Sequence, residues 1–92
     1  MLKIKVENMK SYSGREIPNQ FIIRTDKGVF FQSYDSIIAF KSYNGKTYLD
    51  KHYWDYSKTT SKYRNMFLGE SKKETLEKIK TGEYILKELN GE

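Results

Sequence analysis

The chain reads as an α+β domain: an antiparallel β-meander of four to five strands with two helices packed on one face. Three observations predict it. Apolar residues alternate at period two through most of the first fifty positions, the period of a half-buried strand. Asn44-Gly45 is a strong hairpin signal, because both residues accept the positive φ of a type I′ turn. After Asp55 the apolar spacing changes to three and four residues, with Ser-x-x-Glu and glycine punctuation typical of helices.

The elements follow in order. Leu2, Ile4 and Val6 alternate with Lys3, Lys5 and Glu7, which predicts a first strand with its apolar residues inward. Asn8 to Asn19 has no period and holds Ser13-Gly14 and the single proline, Pro18, so a mobile loop is expected. Gln20 to Thr25 and Val29 to Ser33 form strands around an Asp26-Lys27-Gly28 turn. Phe21 and Ile23 fall on one face with Ile22 and Arg24 on the other, so part of each face is expected to be covered. Tyr34-Asp35 breaks the pattern, and Ser36 to Lys41 resumes it. Strict alternation puts Ile38 with Phe40, and Ile37 with Ala39. Lys46 to Leu49 closes the Asn44-Gly45 hairpin.

Ser57, Thr59 or Thr60 can cap a first helix in which Tyr63, Met66 and Phe67 recur at helical spacing and which Gly69 ends. Ser71 with Glu74 forms a capping box for a second helix, with Leu76 and Ile79 as its apolar stripe and Gly82 as its stop. Glu83 to Leu89 fits either a final strand packing Tyr84 and Leu86 or another helical turn.

Ninety-two residues support one domain and one core. Aromatic residues at 15% offset the modest hydrophobic content of 37%, since each ring buries about 150–250 Å². There is no cysteine, hence no disulfide or thiolate metal site, in keeping with a reducing cytoplasm. Met1 to Lys5 opens no signal peptide, and no run approaches the roughly 20 apolar residues of a membrane span. A cytoplasmic protein is expected. The net charge of +5 suits nucleic acid or an acidic protein surface, and runs against a DNA-mimic strategy.

No constellation spells out catalysis. His52, the single imidazole, lies between Asp50 and Asp55, a spacing open to general-base chemistry. Strand periodicity alone would put Asp50 and His52 on one face, and no nucleophile motif accompanies them. Glu70, Glu74 and Glu77 share a helical flank but alternate with Lys72, Lys73 and Lys78, the composition of an ion-paired solvated surface. No zinc spacing or phosphate-cradling loop is present. The reading is a non-enzymatic protein without cofactor or metal.

The denser signal is an aromatic, basic junction between sheet and helices. From Lys41 to Arg64 six cations and six aromatic rings face two acids. Tyr43, Lys46, Lys51, Tyr53, Trp54, Tyr56, Lys58, Lys62 and Arg64 are the candidate binding residues. Such residues serve single-stranded nucleic acid, where cations track phosphates and rings stack on bases, and equally serve protein hot spots. A purely structural role competes, in which Trp54, Tyr63 and Phe67 glue helix to sheet.

Two strings carry a resemblance: Asn19-Gln20-Phe21 with Phe31-Gln32-Ser33-Tyr34-Asp35-Ser36-Ile37-Ile38-Ala39, and Trp54-Asp55-Tyr56-Ser57-Lys58-Thr59-Thr60-Ser61-Lys62-Tyr63-Arg64 with Phe67-Leu68. Together they resemble short uncharacterised proteins encoded by phages and plasmids of low-GC Gram-positive bacteria. The resemblance implies a mobile-element accessory role, in which proteins of this size often bind and disable a host factor, as anti-CRISPR proteins do. It brings no catalytic residue. A host protein or nucleoprotein is the expected partner, and direct RNA or DNA binding by a regulatory accessory protein is the alternative.

Overall fold

The structure is a computed structural model that describes residues 3–91. Six strands form one sheet in sequential order: β1 (Lys5–Lys10), β2 (Glu16–Arg24), β3 (Gly28–Ser33), β4 (Ser36–Ser42), β5 (Thr47–Asp50) and β6 (Tyr84–Lys87). The first five pair antiparallel. The helices α1 (Lys58–Leu68) and α2 (Lys72–Thr81) carry the chain back so that β6 joins β5 in parallel. The α+β class therefore stands, with one strand more than expected. Helices intervene before β6 because a parallel pair cannot be joined by a tight turn.

The core lies between the sheet and the helices. Phe31, Ala39 and Leu49 are fully buried and occupy one row, with Ile22 beside Phe31. Phe67 of α1 stacks on Phe31 at 5.6 Å between centroids, and Trp54, Tyr63, Met66 and Ile79 pack around this centre.

Helix ends follow the sequence closely. Ser57 caps α1 by accepting from the Thr60 N–H, so Thr59 and Thr60 are not the cap. Thr60 is instead buried, and its hydroxyl pairs with Ser33 at 3.1 Å. Gly69 ends α1 in the left-handed region, and the Ser71–Glu74 capping box opens α2. Lys41 reaches from β4 to donate to the Phe67 carbonyl at 2.6 Å, which supplies a cation to the negative end of α1.

Five expectations need correction. The aperiodic stretch from Asn8 to Asn19 is not a mobile loop. β1 runs to Lys10, a turn closes with the Ser11 N–H donating to the Arg15 carbonyl, and β2 starts at Glu16. Irregular pairing hid this hairpin: Asn8 opposes Phe21 but Lys10 opposes Glu16, so Pro18 sits in the unpaired stretch, where its missing N–H interrupts no ladder bond. Met9 and Ile17 enter the core, while Ile4 and Val6, expected inward, are exposed. Leu2, expected inward as well, lies outside the described residues.

In β4, Phe31 opposes Ala39 and Gln32 opposes Ile37, leaving Ile38 as a bulge. Ile38 and Ala39 both enter the core, and Phe40 goes to the opposite face instead of sharing one with Ile38. The final segment is a strand with Tyr84 buried, but Leu86 stays exposed, as does Leu76 of α2. Glu70 is no solvated helix residue. Its nearly buried carboxylate accepts from Thr75 Oγ1, Lys78 Nζ and Tyr84 Oη at 2.6–2.8 Å and joins α2 to β6.

Candidate binding surface

The junction begins where β5 ends. Asp50 is fully buried, with each oxygen accepting two hydrogen bonds. Oδ2 takes the backbone N–H groups of His52 and Tyr53, and Oδ1 takes the Leu89 N–H and the Asn90 amide. Burial pushes the Asp50 carboxyl up, but these donors outweigh it and hold its pKa below the usual carboxylate value. Asp50 thus ties the turn after β5 to the C-terminal tail. The His52 imidazole faces away from this group and pairs with Glu88 at 2.9 Å. The imagined His52–Asp50 pair is not formed.

Arg64 is 0% exposed. Its guanidinium donates to the Trp54 carbonyl at 2.6 Å, to Asp55, to Ser61 and to Asn65, and lies 5.1 Å from the Trp54 ring centroid. It is therefore withdrawn from the candidate surface. A guanidinium enclosed this way rigidifies the loop that it serves as a core donor. Trp54, half-buried beneath the same contact, belongs mainly to the core. Asp55 completes the knot by accepting from Ser61 and from Lys72 of α2. Burial raises its pKa, while Lys72, Ser61 and Arg64 lower it by more.

The remaining candidates separate into two groups. Tyr43 and Lys46 stand exposed in the β4–β5 turn, at the opposite end of β5 from Lys51 and the junction. Five residues of extended chain put Lys46 and Lys51 roughly 16 Å apart. Tyr53, Tyr56, Lys58 and Lys62 do assemble around the start of α1. Tyr53 and Tyr56 meet edge to face at 5.6 Å, and Tyr56 is 69% exposed.

What brings the second group into focus is the β3–β4 turn. Ser33 opposes Ser36, so Tyr34-Asp35 is a two-residue loop, and Tyr34 has φ of +56° with its side chain out in solvent. A bulky residue at positive φ in such a loop is uncommon, since glycine or asparagine serves there at less cost. The backbone is held by the Tyr34 N–H donating to the Asn19 carbonyl at 2.7 Å and by the Gln32 amide donating to the Tyr34 carbonyl. Tyr34, Ser33, Ile38, Tyr53, Tyr56 and Ser57 line an open cleft of about 530 Å³, floored by Thr60 and edged by Asn90. Residues from the Asn19–Ala39 stretch and from the Trp54–Leu68 stretch thus meet in one place. Ser33, Thr60 and Asn90 were not candidates, because their approach depends on long-range pairing. Tyr34 did carry a local signal: a large ring in a two-residue turn.

Beside the cleft, Lys58, Lys62 and Lys72 surround Asp55 in a shallow basic hollow. Among the described residues no group of three acidic, histidine or cysteine side chains is placed to hold a metal ion, and no helix is long and apolar enough to cross a membrane.

No curated protein and no solved structure matches the chain. The model of a family of unknown function (DUF8033) matches residues 4–83, from the threshold of β1 through both helices, and the chain belongs to that family.

Proposed function

We propose that the protein is a non-enzymatic binding protein that acts stoichiometrically, presenting the Tyr34–Tyr56 cleft and its basic flank to a host protein or nucleoprotein. The observation that carries this reading is Tyr34, 53% exposed at positive φ. Backbone strain of this kind costs on the order of 1–3 kcal/mol and concentrates at working surfaces. An exposed ring contributes no core packing to offset it. The ring shares the cleft with Tyr56, and tyrosine is among the side chains that dominate protein contacts. The resemblance to phage and plasmid accessory proteins supports a host factor as the partner, and a host defence nucleoprotein, bound in the manner of an anti-CRISPR protein, is the one proposed.

The alternative is a regulator that binds RNA or DNA directly, and the hollow of Lys58, Lys62 and Lys72 favours it. It is the weaker reading, because Lys41 and Arg64, two of the six cations from Lys41 to Arg64, are engaged inside the fold. Side-by-side capture from host lysate with the native chain and the folded Tyr34→Gly/Tyr56→Ala double variant tests the leading reading. A single protein or ribonucleoprotein retained at one-to-one stoichiometry, and reduced at least tenfold with the variant, is the expected outcome. Equal capture by both, or turnover of a nucleic-acid substrate by the pure protein, would overturn it.

A further inference from the structure

The sheet face opposite the helices breaks the usual rule for a sheet with one wet side. Such strands alternate apolar-in with polar-out. Here the pairing registers align Val6, Ile23, Phe30, Phe40, Tyr48 and Ile85 in one row that crosses all six strands. Every member is apolar or aromatic. Phe21 stands on the same face, two residues from Ile23. The helices are on the other side, against Phe31, Ala39 and Leu49.

The rings in the row are locked. Phe30 and Phe40 stack at 4.2 Å with 17° between planes, Phe40 and Tyr48 stack at 6.1 Å, and Lys87 Nζ lies 5.5 Å from the Tyr48 centroid. Gly28 makes room for this arrangement. A Cβ there would fall 2.6 Å from Phe40 Cε1 and would collide with the Lys41 carbonyl oxygen. Rings stacked on one another spend their faces internally, which leaves little for bases to stack on. A single-stranded nucleic acid needs those faces free, so the row does not suit one. It suits another apolar sheet.

We infer that this face is the interface of a homodimer, in which two copies pack sheet against sheet through the Val6–Ile85 row. Two arguments choose a second copy as the occupant. The row itself carries no ionisable side chain except the Tyr48 phenol, and Lys87, whose Nζ lies against the Tyr48 ring, sits beside it on the outermost strand, so two copies meet along the row with few like charges to oppose even though each chain is +5. The area also fits. Six strands about 4.8 Å apart and about 20 Å long make a face of roughly 29 by 20 Å. Two such faces bury on the order of 1,200 Å² in total, the lower end of specific interfaces. Aligned sheets pack about 10 Å apart, close enough for Phe40 and Tyr48 to interdigitate. The proposal is independent of the cleft reading, because the cleft opens elsewhere and stays free in the dimer.

Sedimentation equilibrium of the full chain from 1 to 200 µM tests it, alongside Val6→Lys/Ile85→Lys. These two positions are 58% and 37% exposed, so the lysines are accommodated in the monomer. The expected result is a monomer–dimer equilibrium for the native chain, and a variant with an unchanged circular dichroism spectrum whose dimer dissociation constant rises at least thirtyfold. Tyr48→Lys is the second variant should the first lose its native spectrum. A native chain that is monomeric throughout the range, or a dimer that persists in the folded variants, would overturn it.

Discussion

At Arg64 a cation that composition places on the surface behaves as a core residue. Its enclosure with Trp54, Asp55 and Ser61 means that Arg64→Ala removes the donor to a buried carbonyl and loosens the whole junction. Breaking such a buried group costs about 3 kcal/mol or more. Urea denaturation should therefore show a large loss of stability, with any loss of binding following from unfolding. Tyr34 predicts the opposite. Tyr34→Gly relieves the positive φ, offset in part by the added freedom of the unfolded chain, so stability should stay level or rise by up to about 1 kcal/mol while partner binding falls. A loss of more than about 1 kcal/mol in the same denaturation series would assign the ring a packing role instead. Neither residue's fate was legible from composition. Arg64 sits at a position where helical spacing alone puts it beside Tyr63 and Phe67, and only the loop from Trp54 to Asp55, folded back over α1, encloses it.

Among the elements, α1 and α2 were readable because their caps are local: Ser57, Gly69, Ser71, Glu74 and Gly82 each act within one turn. Ser71→Ala should cost about 1 kcal/mol, measured by thermal unfolding, because it removes half of a capping box. The strands were readable where pairing is regular and not where it is bulged. The Asn8–Lys10 irregularity concealed a hairpin, and the Ile38 bulge reversed the faces that strict alternation assigns. The connections between elements rest on buried or partly buried carboxylates, which yields a pH dependence. Asp50, Asp55 and Glu70 resist the upward push of burial because backbone N–H groups, Lys72, and the Thr75–Lys78–Tyr84 set hold their folded pKa values below normal. Groups shifted downward contribute stability that is complete above their unfolded pKa near 4 and is lost as pH falls through the folded values. Stability should thus hold through the neutral range and drop steeply below pH ~4. Asp50→Asn should flatten that drop and lower stability at pH 7. An acid transition unchanged in this variant would remove Asp50 from the explanation.

For the whole molecule, one face of the sheet builds the core, the other is an apolar row, and the cleft opens between the β3–β4 turn and the start of α1. The α+β architecture was legible because it depends on periodicity and punctuation. The candidate site was half legible: Tyr53, Tyr56, Lys58 and Lys62 converge, Tyr43 and Lys46 lie at the far end of β5, and Arg64 is interior. Convergence depends on which distant turn meets the junction, and that is decided by strand order. In the function proposed above, the cleft contacts a protein surface and does not grip phosphates. Fluorescence anisotropy of the pure protein with labelled single- and double-stranded RNA and DNA across a salt series tests this. The expected result is no binding at physiological salt. Tight binding that weakens steeply with salt, and is abolished in a folded Lys58→Glu/Lys62→Glu variant, would contradict it and make the basic hollow a phosphate-binding site.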